Sequence, residues 1–209
     1  VYVASAGNYG LAIAEAGKRF GVSVTVFVSN NANPSKIRCI LDTGAQVVSN
    51  GQDFDTAKEY GKKAAVKDKA DFWEDGVVPE MAYGASTIAN ELLNTNIDWD
   101  IVLVPIGNGS LIKGISSLFK EIKPATQIIG LVTSGAPVMQ KAITGQKFDI
   151  NEITNTEADG LEVRIPIMKI SEEIGHLIDD IWIIPESMLL PAVKTLMEFD
   201  QVMAEPSAA

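Results

Sequence analysis

Short apolar runs recur along this chain, each followed by a polar turn and then by a stretch with apolar positions three and four residues apart. Val1–Ser5, Val22–Val28, Gln46–Val48, Asp71–Trp73, Ile101–Pro105, Gln127–Thr133 and Ile181–Ile184 read as strands. Tyr9–Phe20, Ser35–Thr43, Asp53–Lys67, Tyr83–Leu93, Leu111–Ile122, Val138–Thr144, Met168–Ile174 and Pro185–Phe199 read as helices, with Gly21 and Gly44 as stops for the first two. Continuous apolar strands separated by helices predict an α/β fold whose parallel sheets are covered on both faces. The irregular stretch Gly145–Pro166 interrupts the rhythm. Polar Asn94–Asp98 marks the expected boundary between a smaller α/β lobe, residues 1–95, and part of a larger one, residues 96–209.

Two of the turns stand apart. Ser5-Ala6-Gly7-Asn8-Tyr9-Gly10 follows the first strand, and Gly107-Asn108-Gly109-Ser110-Leu111 follows the apolar run that begins at Ile101. Each joins a strand to a helix, so backbone N–H groups and the positive end of a helix face outward at the carboxyl edge of a sheet. Two such anion cradles suggest a phosphorylated cofactor and an acidic substrate.

Composition narrows the classes. The 209 residues are 46% hydrophobic and 21% charged, enough for a real core and too apolar for disorder. Asp and Glu number 27 against 17 Lys and Arg, a balance of −10 that leaves no electrostatic footprint for nucleic acid or an anionic membrane. No apolar stretch approaches the roughly 20 residues of a bilayer span. The lone Cys39 excludes an internal disulfide framework and fits a reducing cytoplasm. With one His and one Cys the chain offers no metal-ligand spacing, and His176 reads as a surface residue. Val1 falls inside a strand without an initiator Met, so a fragment of something longer is expected. A nicotinamide-binding Rossmann motif fits poorly, because Gly7-Asn8-Tyr9-Gly10 lacks the Gly-x-Gly-x-x-Gly order and Ser29-Asn30 stands where a ribose-binding acid is wanted. Neither turn carries the Gly-Lys-Ser/Thr of a P-loop.

The order of several motifs adds a resemblance. Ser5-Ala6-Gly7-Asn8, Lys36 ahead of Gly44-Ala45, Gly84 to Thr87, Gly107 to Leu111, Ala158-Asp159-Gly160 and Glu205-Pro206-Ser207 together resemble the fold type II pyridoxal-phosphate enzymes. Among those, the pattern is most similar to the threonine and serine dehydratases, or ammonia-lyases, over the whole chain. The resemblance implies two three-layer parallel-sheet lobes and pyridoxal 5'-phosphate as cofactor. It implies that Asn8 contacts the ring hydroxyl, and that Gly107, Asn108, Gly109, Ser110 and Leu111 hold the phosphate. It places Glu205 near the cofactor, and Ser5, Ala6, Gly7, Tyr9 and Gly84 about the amino-acid substrate. Lys36 is read as a helix-start residue and not as a nucleophile, while Asp159-Gly160 stays open between a plain turn and a ligand contact.

This chain also departs from the pattern. Asn108 and Ser110 interrupt the usual run of glycines, and Ala85 replaces the usual Gln. The resemblance implies that the lysine carrying the cofactor lies upstream of Val1, so no catalytic residue is expected within these residues and the fragment alone is expected to be inactive. The implied reaction of the full-length enzyme is β-elimination from L-threonine or L-serine to a 2-oxo acid and ammonia. Ala6 stands where serine racemases resembling this pattern carry a proton-relaying serine, which disfavours racemisation. Threonine synthase, which usually has Thr in place of Tyr9, is the alternative within the fold, and a catalytically silent small-molecule-binding module is the alternative outside it. A homo-oligomer, dimer or tetramer, is expected, with no nucleic-acid or membrane partner and no metal.

Overall fold

A computed structural model describes all residues, Val1–Ala209, and divides them into two compact units, Val1–Asp75 and Gly76–Ala209. In the first, β1 (Tyr2–Ala4), β2 (Thr25–Val28) and β3 (Gln46–Ser49) form a parallel sheet in the order β1-β2-β3. Tyr2 pairs with Thr25, and Thr25 with Gln46. Helices α1 (Asn8–Phe20), α2 (Pro34–Asp42) and α3 (Phe54–Asp68) connect and cover it. Alternation along β2 explains the layering. Val26 and Val28 join Val3, Ala14 of α1 and Ile40 of α2 in one core, whereas Phe27 turns the other way, 5.3 Å from the Tyr2 ring and 5.9 Å from Tyr60 of α3.

Local chemistry sets the helix ends. Asn33 accepts from the Ser35 N–H at 2.9 Å ahead of Pro34, and Asp53 accepts from the Thr56 N–H at 2.8 Å, each satisfying an orphan first-turn donor. Val22 is not yet strand, because its N–H is spent on the Gly17 carbonyl as α1 closes, and the ladder begins only at Thr25. Asp71–Trp73 shrinks to a single bridge, Tyr2 to Phe72, flanked by Tyr2 N–H to Asp71 and Trp73 N–H to Tyr2, each 2.8 Å. Cys39 is exposed on α2.

In the second unit, β4 (Ile101–Pro105), β5 (Gln127–Thr133) and β6 (Asp180–Ile184) form another parallel sheet with β5 central. Helices α4 (Pro79–Leu93), α5 (Ser110–Ile122), α6 (Val138–Ile143) and α7 (Met168–Gly175) share its core, built on Val104, Ile112, Phe119, Ile128, Met139 and Ile174. α4 packs along α5, and the crossing is tight at Gly114, where a Cβ would meet the Ala82 carbonyl and the Ala85 side chain. The polar stretch Asn94–Asp98 therefore connects α4 to β4 inside this second unit.

Three expectations need correction here. β4 is not buried on both faces, since Val102 and Val104 enter the core while Ile101 and Leu103 stay about half exposed. α4 begins at Pro79, whose fixed φ suits the first helical turn, and not at Tyr83. The last helical stretch divides into α8 (Glu186–Thr195) and a π-type turn, Leu196–Asp200, with Pro191 inside α8 withholding a ladder N–H. No helix is long and apolar enough to cross a membrane, and no group of three or more His, Cys, Asp or Glu side chains is arranged to hold a metal.

Candidate active site

The first unit presents the turn that follows β1. Ser5 N–H donates to the Phe27 carbonyl at 3.1 Å, ending the strand, and Ser5 Oγ accepts from the Gly7 N–H at 3.1 Å. Gly7 is the N-cap of α1; no side chain caps the helix and no acid sits in its first turn, so the positive end keeps its character toward an anion. Gly10 lies against the Ser5 carbonyl and Val26, an approach that leaves no room for a Cβ. Asn8 is exposed at the first helical position. Tyr9 is half buried, and its hydroxyl donates to the Trp73 carbonyl at 2.9 Å. Burial first, then the charges of Asp75 and Glu74, push that phenol well above its usual pKa, so it stays protonated. A contact from Tyr9 to a carboxylate would thus run through its backbone N–H. Ala6 contributes a methyl group beside the core and no proton carrier.

The second unit presents the turn that follows β4. Gly109 has φ +100°, the left-handed region open to glycine, and a Cβ there would also lie 2.5 Å from Ile174 Cδ1. It is the N-cap of the 13-residue α5, which has no acidic residue in its first turn. Ser110 Oγ accepts from the Gly76 N–H at 2.9 Å. Gly107 lies so close to Gly160 that a Cβ would stand 2.8 Å from the Gly160 carbonyl oxygen. Gly160 N–H in turn donates to Ser207 Oγ at 3.1 Å, and Glu205 Oε1 is 3.8 Å from where a Gly160 Cβ would be.

Three motifs singled out in the sequence, Gly107–Leu111, Ala158–Gly160 and Glu205–Ser207, are therefore adjacent within one unit. Ser5–Tyr9 belongs to the other unit. Gly84 sits inside α4 with open space around its Cα, one turn after the helix start. Lys36 stands in the first turn of α2. Gly76 and Ser207 were missed by residue-level reasoning: Asp75-Gly76 is a turn dipeptide, and Ser207 lay unassigned within a motif already noticed. Backbone N–H groups at a helix start, a left-handed glycine and no competing carboxylate in the helix's first turn fit a phosphate group.

Two parallel sheets, each with a glycine turn at a carboxyl edge, define the fold of the fold type II enzymes. The chain matches the family described as "Pyridoxal-phosphate dependent enzyme" over residues 1–209, and it belongs to that family. It is 32% identical over 209 residues to the L-threonine ammonia-lyase of Geobacter sulfurreducens, a match covering 100% of this chain and 52% of that protein. Among solved structures, threonine deaminase isoform 2 of Solanum lycopersicum superposes with a TM-score of 0.91 at 28% identity, covering 99% of this chain and 60% of that one. Maize serine racemase superposes with a TM-score of 0.92 at 26% identity, covering 100% and 63%. The chain spans about half the length of the curated relatives it matches.

Proposed function

We propose that the full-length protein eliminates the β-hydroxyl of L-threonine or L-serine, yielding a 2-oxo acid and ammonia. The observation that carries this reading is the meeting of Gly107, Gly160 and Ser207 behind a donor-rich turn at the carboxyl end of β4. Similarity to an L-threonine ammonia-lyase supports the choice of reaction.

Pyridoxal phosphate, when bound, supplies an electron sink for bond breaking at the α-carbon. In this reading the N–H groups of Gly107 to Leu111 and the Ser110 hydroxyl hold the phosphate. The Asn8 amide orients the ring hydroxyl, and Glu205 lies near the cofactor. N–H groups of the Ser5–Tyr9 turn hold the substrate carboxylate, while Gly84 leaves space for the substrate. Ala6 cannot relay a proton, so only one face of the substrate is served by a carrier and elimination outruns inversion.

Incubating that protein with L-threonine or L-serine should release 2-oxobutanoate or pyruvate and ammonia, with little D-isomer. Inertness toward both, with phosphate release from O-phosphohomoserine, would replace the reading by threonine synthase. Failure to take up pyridoxal phosphate would leave a small-molecule-binding module.

A further inference from the structure

Glu186 belongs to none of the motifs above, yet its carboxylate joins two separate stretches of the second unit. Oε1 accepts from the Gly135 N–H at 3.0 Å, while Oε2 accepts from the Thr156 hydroxyl at 3.1 Å and the Glu157 N–H at 3.2 Å. The Glu186 N–H donates back to Ser134 Oγ at 3.2 Å. Asn155 N–H donates to the Gly135 carbonyl at 3.0 Å, and a Cβ on Gly135 would collide with Asn155 and Glu186. Burial works to raise this carboxyl, but the donors from Gly135, Glu157 and Thr156 hold it below the usual carboxylate range.

The stretch so held runs into the candidate site. Thr156 Oγ1 accepts from the Ala158 N–H at 3.1 Å, Leu161 N–H closes on the Ala158 carbonyl at 2.8 Å, and Gly160 then meets Gly107 and Ser207. Residues 145–166 have no regular structure beyond the 3-10 turn Asp159–Leu161, so side-chain bonds replace a backbone ladder in fixing their course.

We infer that Glu186 is a positioning residue for the cofactor-phosphate turn, acting through Thr156–Gly160 on Gly107. The inference rests on the proposed reading of Gly107–Leu111. Glu186→Gln is the test, because only one of its two terminal atoms can accept, so either the Gly135 or the Glu157 N–H loses its acceptor. Asp179→Asn is the control: Asp179 accepts from Lys120 at 2.8 Å and from the Ile128 N–H at 2.7 Å, at the amino end of β5, away from this turn.

In full-length, cofactor-free protein, hydrogen exchange at residues 157–160 and 107–109 should accelerate about tenfold in Glu186→Gln, and pyridoxal phosphate affinity should fall about tenfold. Asp179→Asn should lower the melting temperature and leave both readouts in place. Thr156→Val, which removes one arm only, should act in the same direction and more weakly, and serves if Glu186→Gln does not fold. Unchanged exchange at 107–109 would overturn the inference even where the wild type binds cofactor normally. Equal losses in Asp179→Asn would overturn it in favour of general stability. A wild type that takes up no pyridoxal phosphate would remove the phosphate-turn reading, and this inference with it.

Discussion

Gly160 donates its backbone N–H to the hydroxyl of Ser207 at 3.1 Å, across 47 residues of sequence, and Ser207 is 9% exposed. This bond fastens the chain's last turn to the segment that abuts Gly107. Ser207→Ala strands a part-buried donor, at a cost of about 1–3 kcal/mol. Thermal unfolding should register that loss, and pyridoxal phosphate should bind more weakly. Ser207→Thr, which keeps the hydroxyl, should recover part of the affinity. Equal affinity in all three proteins would remove Ser207 from the site.

Gly109→Ala tests the turn itself. A methyl group at φ +100° is strained by roughly 1–2 kcal/mol and meets Ile174 Cδ1. Pairing it with Ile174→Val relieves contact and leaves the backbone strain. Phosphate affinity, measured by titration, should stay reduced in the pair.

Tyr9→Phe should destabilise the first unit by about 1 kcal/mol, the usual net worth of one hydrogen bond, because the Trp73 carbonyl loses its donor. The Michaelis constant for threonine should change little if the substrate carboxylate is held by backbone N–H groups. The folded phenol has a raised pKa, so the folded state keeps a proton that the unfolded chain releases near pH 10. Its stabilisation is complete below that pH and declines as pH rises through the raised value. Alkaline unfolding of wild type and Tyr9→Phe should therefore converge.

Asn8→Ala separates turn chemistry from cofactor chemistry. Asn8 is exposed at the first position of its helix, where a surface substitution usually moves stability by less than about 0.5 kcal/mol. In full-length protein the visible absorbance of the bound cofactor, or its pH dependence, should shift and turnover should fall. Lost stability with a normal spectrum would make Asn8 a turn residue.

The rhythm of strands and helices was legible because β2 and β5 are apolar on both faces and the helices end at glycines such as Gly21. It was less legible where neighbours decide. Val22 reads as strand by composition, but its N–H closes a helix; Ile101 and Leu103 read as core, but alternation leaves them outside. That Asn8 and Gly107–Leu111 lie where a strand turns into a helix was visible from strand-turn-helix patterning. The adjacency of Gly107, Gly160 and Ser207 was not, because contacts over such separations follow from how loops lie on the sheet. Glu186 gave no signal, since a carboxylate opening a helix usually serves only the helix dipole.

Helix α5 is braced on several sides. Gly114 seats it against α4, Lys113 pairs with Glu173 of α7, and Phe119 is buried in the core. A helix held this way cannot readily roll about its axis, so the amides at its amino end keep one bearing whether or not an anion is there. Phosphate would then enter a socket already set. Association should involve little chain ordering and discriminate by shape, favouring a tetrahedral dianion over a planar carboxylate of similar size.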